Sequence, residues 1–228
     1  MIERPSPNFQ PRRKGLTVDI LLLHYTGMSS AKHALDRLCN PVAKVSAHYL
    51  IDEDGVVYSL VAEEMRAWHA GVASWRGETD VNGHSIGIEL VNPGHACGYR
   101  PFPEPQTAAL IELAHEILSR HPIPARHVLG HSDVAPGRKF DPGELFDWQR
   151  LARVGIGLWP SDEYQTDTPD AGDGELLLDQ FGYGIGESDE TRYAAIEAFQ
   201  RHFRPSRIDG VMDHETYGRL GSLCHQCT

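Results

Sequence analysis

Apolar positions along this chain alternate between two periods. Thr17 to Tyr25, TVDILLLHY, is a β-like run, and Ser85 to Val91, SIGIELV, is another. Ala47 to Asp52 and Val56 to Leu60 flank Asp54-Gly55, the pattern of a hairpin. His127 to His131 reads as a short strand. Helical spacing puts Ala31, Ala34, Leu35 and Leu38 on one side of Ser29 to Leu38, and gives Pro105 to Arg120 an apolar face of Ala109, Leu110, Leu113, Ile117 and Leu118. Gly143 to Val154 reads as a further helix. Strands interspersed with helices predict an α/β fold, a central mixed β-sheet flanked by helices.

Two stretches interrupt this pattern. Residues 1–16 are polar and rich in proline and arginine, which predicts an extended N-terminal arm. From Trp159 to Gly174 the periodicity disappears into PSDEYQTDTPDAGDG. The expected organisation is a domain over residues 1–158, a linker over 159–173, and a small C-terminal three-helix domain over 174–228. Within that last segment GESDET and GVMDHET each place a glycine turn before residues that satisfy the free amides of a helix start. Ile196, Phe199 and Phe203 form a helical stripe read as core packing. With no catalytic cluster of its own, the segment looks like a binding module.

Composition narrows the function classes. The 228 residues carry a net charge of −11, the opposite of the basic surface expected of a nucleic-acid binder, and there is no polybasic membrane anchor. The opening MIERPSPNFQPRRKG has no apolar core of signal-peptide length, and Val18 to Leu23 is too short to span a bilayer. The chain is expected to stay in the compartment where it is made. Cys224 and Cys227 form CHQC, but with no second pair the four cysteines are read as reduced and incidental.

The candidate chemistry lies in the first domain. His24 ends one predicted strand and His131 another, so both imidazoles can reach one sheet edge; Asp141, in the loop HSDVAPGRKFDPG, could join them. Two imidazoles and a carboxylate suit Zn²⁺ and leave a fourth position for water. A capped loop with a surface ion pair is the competing reading. Glu89 shares a strand face with Gly87, and a carboxylate in so apolar a strand must be paired, hydrogen-bonded or protonated. It is either a general base, its pKa raised by burial, or half of an ion pair with Arg66 or Arg76. Lys139 could stabilise the oxyanion of amide hydrolysis; the plainer reading is a solvated loop cation.

LLLHYT, SAHYLIDEDG, AWHAGVASWRG, SIGIELVN and HSDVAPGRKFDPG follow one another over about residues 15–155. Together they resemble the zinc-dependent N-acetylmuramoyl-L-alanine amidases, the type 2 amidase family related to peptidoglycan recognition proteins. The resemblance implies zinc held by His24, His131 and Asp141, with Glu89 as catalytic carboxylate and Lys139 as transition-state stabiliser. It departs from many relatives, in which the third ligand is cysteine. It places His48 and His69 near the groove rather than on the metal, with Arg66, Trp68 and His69 as substrate contacts. Over about residues 174–223 the chain resembles the three-helix peptidoglycan-binding domain of cell-wall hydrolases. The implied activity is cleavage between N-acetylmuramic or anhydro-N-acetylmuramic acid and L-alanine, by a monomer that takes peptidoglycan or muropeptide fragments. The alternatives are a non-catalytic peptidoglycan receptor and a zinc peptidase acting on the stem peptide. A fragment-recycling role suits the cytoplasm; a wall-binding module suits the periplasm or envelope.

Overall fold

The computed structural model describes residues 1–161 and 171–227. Its N-terminal arm is not free. Strand β1 (Ile2–Glu3) joins the main sheet, and β2 (Phe9–Pro11) joins a small ribbon. There follow β3 (Ile20–Tyr25), α1 (Ala31–Leu38), the hairpin strands β4 (Tyr49–Ile51) and β5 (Val57–Ser59), and β6 (Met65–Ala67), which pairs antiparallel with β2. The short α2 (Val81–His84) leads directly into β7 (Ser85–Leu90), then α3 (Glu104–Arg120), β8 (Val128–Gly130), α4 (His131–Val134) and α5 (Trp148–Arg153). The last three helices are α6 (Ala171–Phe181), α7 (Asp189–Phe203) and α8 (His214–Gln226).

The main sheet has six strands in the order β1-β5-β4-β7-β3-β8. Only β4 and β5 pair antiparallel; the other neighbours are parallel, so the sheet is mixed as expected. Its centre is covered on both sides, which is why ILLLHY reads as a continuous apolar run. Leu21 and Leu23 pack with Leu110, Leu113 and Ile117 of α3, all buried. Ile20 and Leu22, on the other face, pack in one buried cluster with Phe181, Phe199, Phe203 and Leu220 of the C-terminal helices. The C-terminal segment therefore shares a core with the sheet. Residues 162–170, the middle of the expected linker, lie outside the described residues.

Local signals explain the element ends. Gly55 turns the hairpin with φ +87°, a left-handed conformation that favours glycine. Ser188 caps α7 by accepting from Thr191 N, and Asp213 caps α8 by accepting from Thr216 N, so the two similar motifs use a serine and an aspartate in the same role. Two boundaries differ from the pattern-based expectation. The helix expected over 143–154 begins only at Trp148, because Asp147 caps it. His131 is not the last strand residue but the first residue of α4, whose start is closed by Asp133 accepting from Gly130 N at 2.7 Å.

Candidate active site and metal centre

Parallel strands deliver their carboxyl ends to one edge of a sheet, where ligands bind in open α/β folds. Here His24 and Glu89 are the penultimate residues of β3 and β7, and β8 runs straight into His131. The register pairs His24 with Glu89 and Leu22 with Gly87, so both strands present the same face. The loop after α4 turns back to bring Lys139 and Asp141 over that edge. A cavity of about 360 Å³ opens there, lined among others by Tyr25, Trp68, His69, Glu89, His131, Lys139 and Asp141.

His24, His131 and Asp141 are all buried and converge. His24 Nδ1 lies 2.9 Å from His131 Nδ1 and 3.1 Å from Asp141 Oδ2, and the latter two are 3.0 Å apart. The remaining ring nitrogens decide what these contacts are. His131 Nε2 donates to the carbonyl of Ala70 at 2.9 Å. Around His24 a chain of donors and acceptors runs outward from the ring. Ser85 Oγ donates to Val81 O at 2.6 Å and so receives His69 Nε2–H at 3.3 Å; His69 Nδ1 then receives His24 Nε2–H at 3.0 Å. This leaves His24 Nδ1 with a lone pair and no hydrogen. At most one proton, on His131, is available for three contacts. A divalent cation accepting a lone pair from each atom satisfies all three, so the donor set fits a metal.

The protonation states agree. Burial, then the charge of His131, push His24 down to about 4. Burial alone would raise Asp141, but His131 and then His24 hold it well below the usual carboxylate range. A neutral imidazole and an ionised carboxylate are the ligating forms.

Glu89 stands outside this triad. Its Oε2 is enclosed and has no hydrogen-bond partner. Burial, then the negative charge of Asp141, push its pKa well above the ordinary carboxylate range, with Lys139 opposing. The alternative of an ion pair with Arg66 or Arg76 is not what the structure holds. Arg66 is bound to Asp80 at 2.7 Å, and Arg76 donates to the carbonyl of Gln180 at 3.0 Å.

The expected substrate contacts separate. Trp68 and His69 line the cavity; Arg66 is absent from its wall because Asp80 holds the guanidinium elsewhere. His69 also buttresses His24, and a Cβ on Gly87 would come within 2.6 Å of its ring. The room beside Glu89 that Gly87 promised is thus filled by His69. His48 does not face the triad: its Nδ1 accepts from Gly87 N at 2.9 Å and its Nε2 faces Met65 O at 3.1 Å. Burial, then the charge of Arg12, push it down to about 3, so it serves as a neutral clip between loop and strand. Trp75 is packed against Phe181 and Tyr183. Sequence reasoning missed the roles of Ser85, Asn82 and the Ala70 carbonyl. Asn82 Oδ1 accepts from the backbone of both His69 and Ala70 at 2.9 Å, which positions the two groups behind the triad. Serine, asparagine and backbone carbonyls carry no spacing signal that could have found them.

Residues 14–144 match the family model described as N-acetylmuramoyl-L-alanine amidase. The chain is 38% identical over 222 residues to the N-acetylmuramoyl-L-alanine amidase AmiD of Escherichia coli, covering 87% of this chain and 79% of that one. It is 33% identical over 163 residues to the 1,6-anhydro-N-acetylmuramyl-L-alanine amidase AmpD of Haemophilus influenzae, covering 64% and 86%. A solved complex of the E. coli AmiD with anhydro-N-acetylmuramic acid-L-Ala-D-γ-Glu-L-Lys superposes with a TM-score of 0.85 at 34% identity, over 94% of this chain and 92% of that one. AmpDh3 of Pseudomonas aeruginosa in complex with anhydromuramic pentapeptide gives 0.86 at 33% identity, over 94% and 95%.

Proposed function

Because the chain belongs to the N-acetylmuramoyl-L-alanine amidase family, we propose that its cavity hydrolyses the amide between anhydro-N-acetylmuramic acid and L-alanine in muropeptides, with Zn²⁺ held by His24, His131 and Asp141. The observation that carries this reading is the convergence of three lone-pair donors beside the unpaired carboxyl of Glu89. The anhydro-sugar is supported by the ligands of the two superposing relatives.

Zinc in such a donor set supplies Lewis-acid activation of water and of the scissile carbonyl. The remaining steps fall to the chain. Glu89, driven up in pKa by its enclosure, is basic enough to take a proton from the attacking water. The same carboxyl then donates that proton to the departing amine of L-alanine. Lys139 faces the negative charge that grows on the carbonyl oxygen. Trp68 and His69 form the wall against which the substrate lies.

The test is digestion of anhydro-N-acetylmuramoyl-tripeptide by purified protein, read by mass spectrometry before and after chelation. The expected products are the free anhydro-sugar and an intact peptide beginning with L-alanine, lost on chelation and restored by zinc. A cut inside the peptide would overturn the bond assignment. Undiminished turnover after metal removal would overturn the metal site.

A further inference from the structure

The turn that carries His131 is anchored in part from the C-terminal segment. Asp133, two residues further on, is 0% exposed. Its Oδ2 accepts from Gly130 N and from His202 Nδ1, and its Oδ1 accepts from the Tyr183 hydroxyl, each at 2.7 Å. Only Gly130 belongs to the turn itself. Tyr183 lies between α6 and α7, and His202 lies in the last turn of α7, its ring stacked between Trp148 and Phe203 at 3.7 and 3.8 Å. The same helix meets the rest of the loop twice more. A Cβ on Gly137 would come within 3.1 Å of Ala194. The Arg201 guanidinium sits 4.9 Å over the ring of Phe140, the residue between Lys139 and Asp141.

We propose that Tyr183 and His202 are positioning residues of the hydrolytic site, holding the His131 turn through the Asp133 carboxylate and thereby setting metal affinity. A buried carboxylate is stable only while donors surround it. With both C-terminal donors gone, Asp133 keeps one of three. It then rotates toward water and releases Gly130 N–H, and the first turn of α4 loses the closure that aims His131 Nδ1 at His24 and Asp141. The inference rests on reading that triad as a metal site.

Zinc affinity by chelator competition and the absorption spectrum of the cobalt-substituted protein test it in the full chain. Variants are His202→Ala, Tyr183→Phe, the two together, and His202→Asn, whose Nδ2 can take the place of imidazole Nδ1. Leu220→Ala, which opens the shared core in α8 without removing a donor, controls for general loosening. The pair is expected to lower zinc affinity by about ten-fold or more and to alter the cobalt spectrum. His202→Asn should recover most of the affinity, and Leu220→Ala should keep it. If the pair fails to fold, the single variants carry the same comparison with smaller losses. Unchanged affinity and spectrum in the folded variants, or an equal loss in Leu220→Ala, would overturn the proposal. Failure of the unaltered protein to bind zinc would instead overturn the metal-site reading beneath it.

Discussion

Two partly buried carboxylates, Glu89 and Glu63, are driven in opposite directions by their surroundings. Glu89 has an oxygen with no donor and is pushed up. Glu63 is also pushed up by burial, but Arg120, His121 and Tyr49 donate to it at 2.8, 2.6 and 2.7 Å and bring it down to about 2. The first arrangement suits proton transfer, the second structure. Glu89→Gln should bind zinc as the unaltered protein does and lose about 10²-fold or more in turnover; metal analysis beside muropeptide kinetics checks both halves. Glu63 makes a stability prediction. Its folded pKa lies below the ordinary value of 4.5, so the folded state holds fewer protons than the unfolded state as acid is added. Its contribution is complete above about pH 5 and fades as pH falls toward about 2. Glu63→Gln should cost about 1–2 kcal/mol at pH 7, a figure reduced for solvent screening around the half-exposed Arg120, and progressively less toward pH 3. Urea unfolding of both proteins across that range measures it.

At the scale of elements, β7 shows how a strand serves the site through a residue with no side chain. Alternation in SIGIELV assigns Gly87 and Glu89 to one face, and that much is legible in the chain. What fills the space at Gly87 is not: His69 arrives from the loop after β6, held by Asn82, and its ring occupies the place of the missing Cβ. Gly87→Ala should therefore push His69 off His24 Nε2, disturb the tautomer that exposes Nδ1, and weaken zinc binding. It should also cost about 1–3 kcal/mol by overpacking. Thermal unfolding with and without zinc separates the two effects, and a variant that unfolds early yet holds zinc normally would detach His69 from the metal centre. The helix starts followed rules readable in sequence, since Ser188 and Asp213 cap their own turns. The closure of α4, Gly130 N to Asp133, is equally local, but the Asp133 carboxylate that makes it is held by Tyr183 and His202 far along the chain.

For the whole molecule, the buried cluster joining β3 to α6, α7 and α8 makes the C-terminal helices part of the folding unit. Phe199 is 0% exposed within it. Phe199→Ala should cost about 3–5 kcal/mol and shift one common transition for sheet and helices. Denaturation followed by tryptophan fluorescence and by zinc release would reveal two separated transitions if the helices instead stood alone.

The sequence by itself determined what depends on neighbouring residues: the strand and helix periods, the strand ends that carry His24 and Glu89, and the residue types able to hold zinc and move a proton. Motif order over LLLHYT to HSDVAPGRKFDPG determined the family. The tertiary structure decided everything that required distant segments to meet. It tied Arg66 to Asp80, turned His48 away from the triad, and placed His69 behind His24. It also set the C-terminal helices against the turn of His131. Hydrophobic period and capping act within a few residues, whereas the partner of a buried polar group is chosen by whichever segment the fold packs against it, and linear spacing does not encode that choice.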